Sequence, residues 1–504
     1  MELVVAVVND RLKRDDVPMK AKMCYQSLAR ASAMAVLVAL AACGGSGSSI
    51  PPNTNEVPAP INTFVYVDTA CRDSADGFSM TQELRVLRGE NGPLTIARIP
   101  MVGPLQVPVT YCGDLALPRS APLFLAFGGF QRLAMSPVAT VIVFEVTDDF
   151  SILGQSFVPA EQKGIFRIRP DGSGLRRLGN PSRVPAISTG FGRSESNFYF
   201  SPSGRLVSFT DIGPGPGGED AVQVFVLDVE TGKRTQLTHM PPAARPGLDG
   251  GAADDFLNER TVVFDGIFNP DGLNPDGKER VFTVDVVTRQ IKVESTVAIP
   301  GGGFVAVPSI TGFGRVTFPA MVPGTPVNKQ AGENVFELFI TDGTNLLQLT
   351  NFGRSDTSPG VPFVSIDGAH AFFVASADPD QMNPSELCQI FSVDALGGDV
   401  RQLTRFSASQ RSALGCVAFG RASEGCTTEF NDSQRVSQDA RSGTVVFGSS
   451  CDPFGTNQNG VQIFAIRPDG SGLHALTDAR GLVRNTDRSV EAELPGPWSY
   501  GPHR

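Results

Sequence analysis

The sequence predicts an all-β protein: a six-bladed β-propeller of four-stranded antiparallel blades, preceded by a small β-rich N-terminal segment. Three observations predict it. Glycine (54) and proline (38) are abundant among the 504 residues and helix-forming runs are scarce, which favours short strands joined by many turns. One hairpin pattern recurs six times at a nearly constant period. The aromatics are lopsided, with 34 Phe against 5 Tyr and 1 Trp, and twelve of the Phe occupy two fixed places in the repeat.

The recurring hairpins are residues 165–178, 224–238, 281–293, 335–350, 390–404 and 463–477. Each begins with an alternating apolar strand, passes through a glycine turn and in most cases closes on Leu-Thr. Period-two alternation around such a turn is a hairpin signature. The second residue of each segment is Phe: Phe166, Phe225, Phe282, Phe336, Phe391 and Phe464, at steps of 59, 57, 54, 55 and 73 residues. A preceding strand ends in Phe144, Phe209, Phe264, Phe318, Phe373 or Phe447. A further strand is expected before that one, behind turns such as Ser-Pro-Ser-Gly at 201–204. Each unit therefore has strands a, b, c and d. A blade of four strands cannot bury both faces alone, and stacking blades around an axis solves that.

The run SPSGRLVSF (201–209) with VFVLDVETGKRTQLT (224–238) resembles the WD-like propeller repeat of the TolB family. The resemblance covers about residues 130–478 and speaks to the fold rather than to a function. TolB carries an α/β domain ahead of its propeller, whereas residues 61–125 here read as strands, so the partners of TolB are not implied. The expected division is a signal region at 1–42, a tether at 43–60, a β-rich cap or degenerate extra blade at 61–125, the propeller at 126–478 and a tail at 479–504.

Lys20, Lys22 and Arg30 precede an apolar run at 31–42 that is too short to span a bilayer as a helix. It ends Leu40-Ala41-Ala42-Cys43-Gly44, which resembles the bacterial lipobox and implies lipidation of Cys43. The alternative is an ordinary signal peptide with a chance cysteine. Residues 1–18 carry charges of both signs and sit oddly ahead of a signal peptide, so initiation at Met19 or Met23 is a candidate. Residues 44–60 are rich in Gly, Ser, Pro and Asn, as in a tether. Gly44 after the cysteine resembles lipoproteins of the outer membrane, which implies a periplasmic, lipid-anchored address.

A net charge of −10 and a pI near 5.1 argue against a nucleic-acid partner, and against membrane contact other than through the lipid. Beyond Cys24 and Cys43, six cysteines remain: Cys71, Cys112, Cys388, Cys416, Cys426 and Cys451. In an oxidising compartment they suggest three disulfides. Cys71–Cys112 is expected, with either Cys388–Cys416 and Cys426–Cys451 or Cys388–Cys451 and Cys416–Cys426.

Blade geometry places the tight a–b and c–d turns on one rim and the b–c loops and d–a connectors on the other. The b–c loops read as long, at 145–164, 210–223, 265–280, 319–334, 374–389 and 448–462, and long loops on a rigid scaffold commonly carry binding. Asp149, Asp211, Asp265, Asp378 and Asp452 fall near the ends of b strands. They form either an acidic ring for Ca²⁺ or a basic partner, or ordinary turn-starting aspartates. Asp271, Asn274 and Asp276 make the best single Ca²⁺ loop, though without EF-hand spacing. No other cofactor is expected.

The glycines at 213–218 formally match a dinucleotide fingerprint, but a strand rather than a helix follows them. No P-loop, HExxH or GxSxG motif occurs. His239, His370, His474 and His503 fall on unrelated elements of the repeat. The leading expectation is a non-enzymatic, lipid-anchored periplasmic scaffold that binds an envelope protein or peptide through its long-loop rim. A carboxylate- or Ca-dependent propeller hydrolase or lyase is the alternative, and a purely structural envelope component is a third.

Overall fold

The structure, a computed structural model, describes residues 63–501 apart from 90, 100–128, 148–157, 185–197, 243–251, 267, 273, 276–279, 294–308, 311–315, 324–333, 342–345, 353–362, 366–367, 385–388, 407–427, 430–442, 450, 452 and 455–461. A first group of strands is β1 (Thr63–Ser74), β2 (Gly77–Arg88) and β3 (Asn91–Ile99). Blade one is β4 (Gly129–Met135), β5 (Ile142–Thr147), β6 (Gly164–Ile168) and β7 (Arg176–Gly179). Blade two is β8 (Tyr199–Phe200), β9 (Leu206–Pro214), β10 (Asp220–Asp228) and β11 (Arg234–Gln236). Blade three is β12 (Ala252–Asn258), β13 (Thr261–Gly266), β14 (Arg280–Asp285) and β15 (Ile291–Val293). Blade four is β16 (Ser309–Ile310), β17 (Val316–Pro323), β18 (Asn334–Thr341) and β19 (Leu346–Gln348). Blade five is β20 (Phe363–Val364), β21 (His370–Ala375), β22 (Gln389–Asp394) and β23 (Arg401–Gln402). Blade six is β24 (Thr428–Glu429), β25 (Val445–Ser449), β26 (Gln462–Ile466) and β27 (His474–Ala475), followed by β28 (Gly481–Arg484) and β29 (Val490–Gly501). Each blade is an antiparallel meander in chain order, so the expectation of an all-β chain with six four-stranded blades and a further β-rich segment ahead of them holds.

The repeated Phe explain why the sheets stack. In five blades the b-strand Phe faces the c-strand Phe directly across the ladder: Phe144–Phe166, Phe209–Phe225, Phe264–Phe282, Phe373–Phe391 and Phe447–Phe464. Their ring centroids lie 5.3–5.9 Å apart. Cross-strand aromatic pairs strengthen a sheet beyond their buried area, and these rings also enter the clusters between neighbouring blades. Blade four corrects the sequence reading. Phe318 pairs with Phe339, and Phe336 falls opposite Met321. The motif-bearing aromatic there is Phe339, three residues further on, because the strand pair is longer at its loop end.

Turn chemistry fixes the hairpins. Asp228 Oδ1 accepts the N–H groups of Glu230 and Thr231 at 3.0 and 2.8 Å, and Asp285 Oδ1 those of Val287 and Thr288 at 2.9 and 2.7 Å. These backbone bonds, Thr288 first, hold the Asp285 carboxyl down at about 2. Gly232, in the next position of the blade-two turn, has φ +77° and would place a Cβ 2.9 Å from the carbonyl oxygen of Leu178 in blade one. Only glycine meets both demands.

The remaining sheet joins the two ends of the chain, in the order β28-β29-β1-β2-β3. Residues 479–504, read from the sequence as a tail, supply two of its strands. Val65, Val67, Leu84 and Val86 on one face pack against Leu133, Ile142, Phe144 and Val146 of blade one. Phe64, Tyr66 and Leu87 on the other face pack against Val446, Ile463 and Ala465 of blade six. The sheet therefore stands between blades six and one and completes the ring. Strand β29 lies against β4, as β8 lies against β12 and β16 against β20. It thus takes the inner, first-strand place, with β1, β2 and β3 following as second to fourth. β28 is an additional strand on the axis side.

Candidate functional site

The long-loop rim is built partly of paired strand rather than loop. β9 and β10 run on to Pro214 and Asp220, closed by a turn in which Gly215 and Glu219 bond at 2.7 Å. β17 and β18 pair as far as Pro323 and Asn334. Among the described residues the longest strand pair on this rim belongs to the closing sheet. β1 and β2 pair without a break from Thr63–Arg88 out to Ser74–Gly77, and β29 follows β1 to Val490. Since β1 runs in the direction of the b strands, its Ser74 end lies on the long-loop rim.

The predicted acidic residues divide. Asp149, Asp452 and Asp276 lie outside the described residues. Asp211 is 2% exposed. It pairs with Arg234 at 2.8 Å and accepts from the Ser182 hydroxyl at 3.2 Å and the Arg183 N–H at 2.6 Å. Asp378 Oδ1 accepts the N–H of Asn383 at 2.6 Å, a turn-starting role. Asp265 is in β13 opposite Val281. Asp271 lies in a short 3-10 turn, Pro270–Gly272, and Asn274 is buried, its N–H bonded to Asn269 at 2.7 Å. Among the described residues no three His, Cys, Asp or Glu gather closely enough to hold a metal ion; Asp276 of the candidate Ca²⁺ loop is not one of those residues. Cys71 and Cys451 each belong to a disulfide, which leaves the choice of pairings open. Cys43, Cys112, Cys388, Cys416 and Cys426 lie outside the described residues.

What the rim does present is a groove of about 350 Å³ on the projecting part of the closing sheet. Ala70 and Arg72 of β1, Ser79 and Thr81 of β2, Glu491 and Glu493 of β29, and Gly481 and Val483 of β28 line it, with Arg480 at its edge. Arg72 sits 3.4 Å from Asp487 and 3.6 Å from Glu491, all half-exposed. Beneath the groove lies Asp68, which is 5% exposed and 2.6 Å from Arg85. Burial lifts the Asp68 carboxyl to about 7, and Glu493 and Glu83 add to this against the pull of Arg85. A concave site with a perturbed carboxyl beside it meets the usual criteria for a functional candidate.

Two sets of polar residues escaped the sequence reading. One residue ahead of the c-strand Val/Ile-Phe stands Gln223, Gln389 or Gln462. Each accepts the hydroxyl of the Leu-Thr threonine (Thr238, Thr404 and Thr477) at 2.6–2.9 Å. Each also grips both backbone groups of a residue two further along (Met240, Phe406 and Ala479). This clamp is the reason for the Leu-Thr signature. In blade four Glu337 replaces the glutamine and holds Thr350 at 2.6 Å. The second set is Arg132 and Glu145, both fully buried and paired across β4 and β5. Arg132 also donates to the Val184 carbonyl at 2.6 Å, and the Ser182 N–H donates to Glu145.

No family model and no curated protein matches the sequence. Solved structures do. The putative TolB of Agrobacterium tumefaciens is similar at 11% identity, with 86% of this chain and 99% of that one covered and a TM-score of 0.33. An oligogalacturonate lyase from Vibrio parahaemolyticus is similar at 10% identity, with 86% and 90% covered and a TM-score of 0.43. A puromycin-hydrolysing peptidase of Mycobacterium tuberculosis is similar at 15% identity and a TM-score of 0.38; the match takes in 67% of this chain and 44% of the peptidase. The fold, from its own sheet topology, is a β-propeller. The likeness to these structures conveys nothing beyond that.

Proposed function

We propose that the protein is a non-enzymatic binding scaffold, lipid-anchored through Cys43 on the periplasmic side of the outer membrane, that takes an envelope protein or peptide on its long-loop rim. The observation that carries this reading is the groove of about 350 Å³ on the strands that project beyond the ring there. Its walls offer Arg72 and Arg480 beside Glu491 and Glu493, a mixed surface suited to a polar chain. Asp211 and Asp378, by contrast, are engaged within the fold.

A carboxylate-dependent hydrolase or lyase is the second reading. It is favoured by the buried Asp68 carboxyl, raised to about 7 by burial, beneath a groove that Glu493 lines. Affinity capture from detergent-solubilised envelopes separates the two. On the scaffold reading, wild-type protein retains a partner that Glu491→Lys loses. Equal recovery by both proteins would contradict it. Turnover of a glycan or peptide that is abolished in Glu493→Gln would favour the enzyme.

A further inference from the structure

The rim of tight turns carries apolar side chains that the fold does not bury. Val138, in the a–b turn of blade one, is 56% exposed, and Leu175, directly ahead of β7, is 57% exposed. Val287 and Leu396, in the c–d turns of blades three and five, are 71% and 70% exposed. A singly exposed hydrophobic residue is ordinary. These four share one end of the ring, and because blades one, three and five alternate around it, they are spread over that end rather than gathered at one edge.

Two of them are presented by the same device. Asp285 Oδ1 accepts the Val287 N–H at 2.9 Å, and Asp394 Oδ1 accepts the Leu396 N–H at 2.7 Å. Each carboxylate fixes its turn with an aliphatic residue two places on, where blade two has Glu230. Turn tips favour Gly, Asn, Asp and Ser. With most of their surface in water, Val287 and Leu396 add little to the blade cores.

The chain's N-terminal approach comes to the same rim. β1 runs with the b strands, from the tight-turn rim to the long-loop rim, so Thr63 begins on the tight-turn side, paired with Gly501. Residues 44–62 alone separate it from Cys43, a stretch that can extend to at most about 65 Å. Acidic side chains on this rim are paired in place: Asp228 with Arg205, Asp285 with Arg260 and Glu230 with Arg167. The net charge of −10 gives no general attraction to anionic lipid, so contact here is apolar.

We propose that the tight-turn rim docks on the lipid surface in which Cys43 is anchored, with Val138, Leu175, Val287 and Leu396 entering the boundary between headgroups and acyl chains, so that the long-loop rim and its groove face away from the membrane. This rests on the lipid-anchor reading above. An aliphatic side chain moved fully from water into lipid shifts the docked-to-undocked ratio by about tenfold or more.

Fluorescence of the lipidated full chain tests the orientation. The protein is reconstituted in vesicles of phosphatidylethanolamine and phosphatidylglycerol containing lipid nitroxide-labelled near the headgroup, and each variant is read against the unsubstituted chain to remove the signal of Trp498. Val287→Trp and Leu396→Trp should be blue-shifted and quenched, and Asp76→Trp, on the long-loop rim, should be neither. Leu175→Trp should be quenched too, and should lose at least half of that quenching when Val287→Ser and Leu396→Ser are combined with it. A lipidated chain quenched no more at Val287 and Leu396 than at Asp76 overturns this proposal alone. Blue-shifted but unquenched tryptophans with a dimer's sedimentation would put a second copy on the rim, and overturn it as well. A chain whose intact mass shows no lipid overturns the anchor reading and this proposal with it.

Discussion

Replacing Gln223 with Leu removes one clamp and leaves the strands otherwise intact. The wild-type side chain is fully buried. Its Oε1 accepts the Thr238 hydroxyl at 2.9 Å and the Met240 N–H at 2.8 Å, and its Nε2 donates to the Met240 carbonyl at 2.8 Å. Thr238 in turn accepts the Val224 N–H at 2.9 Å. Leucine is of similar size, so the main loss is polar: both backbone groups of buried Met240 lose their partner. At about 1–3 kcal/mol for each unsatisfied buried group, the variant should lose about 2–6 kcal/mol. Gln223→Glu keeps both accepting roles and forfeits one donation, so it should cost about 1–3 kcal/mol; blade four uses Glu337 at this place. Urea unfolding measures the difference, and hydrogen exchange at Leu237 and Met240 locates it. A Leu variant within 0.5 kcal/mol of wild type, on the order of the scatter for surface substitutions, would refute the clamp. So would a Glu variant as weak as the Leu one.

Further outcomes follow from the same structure. Phe391→Ala, at a fully buried ring stacked on Phe373, should cost about 3–5 kcal/mol in urea unfolding. Glu145→Ala strands the buried Arg132 charge and should cost about 3–5 kcal/mol, whereas a joint Arg132→Met, Glu145→Leu variant should lose much less. Cys43→Ala should abolish lipid addition, read as intact mass, and shift the protein from the membrane to the soluble fraction.

The blades were legible because their information is local. Alternation, a glycine turn and a Phe at a fixed offset all lie within about fifteen residues, and five of six Phe pairs fall in register as read. Blade four was misaligned because Val335-Phe336 copies the Val/Ile-Phe start of the other hairpins, and only the partner strand shows that Phe339, on the opposite face, is the residue across from Phe318. The closing sheet was not legible as such. β1 and β29 are separated by nearly the whole chain, and nothing local marks them as neighbours. The glutamine clamp left a visible signal, Gln at 223, 389 and 462 just ahead of Val/Ile-Phe, but a buried amide acquires a role only once its threonine is across from it. The aspartates near the b-strand ends show the same limit: their spacing fitted an acidic ring and ordinary turn roles alike, and only the fold shows Asp211 buried against Arg234.

Photo-crosslinking on the two rims decides whether binding belongs to the long-loop side. A photo-reactive residue at exposed Asp76, at the tip of the β1–β2 hairpin, or at exposed Pro216, in the blade-two turn, samples one rim; Val287 and Leu396, 71% and 70% exposed in c–d turns, sample the other. Irradiated in intact cells, the chain carrying the probe at Asp76 or Pro216 should give a discrete adduct that Glu491→Lys suppresses, with none from Val287 or Leu396. Adducts from the tight-turn rim alone, or adducts at Asp76 indifferent to Glu491→Lys, would contradict the assignment.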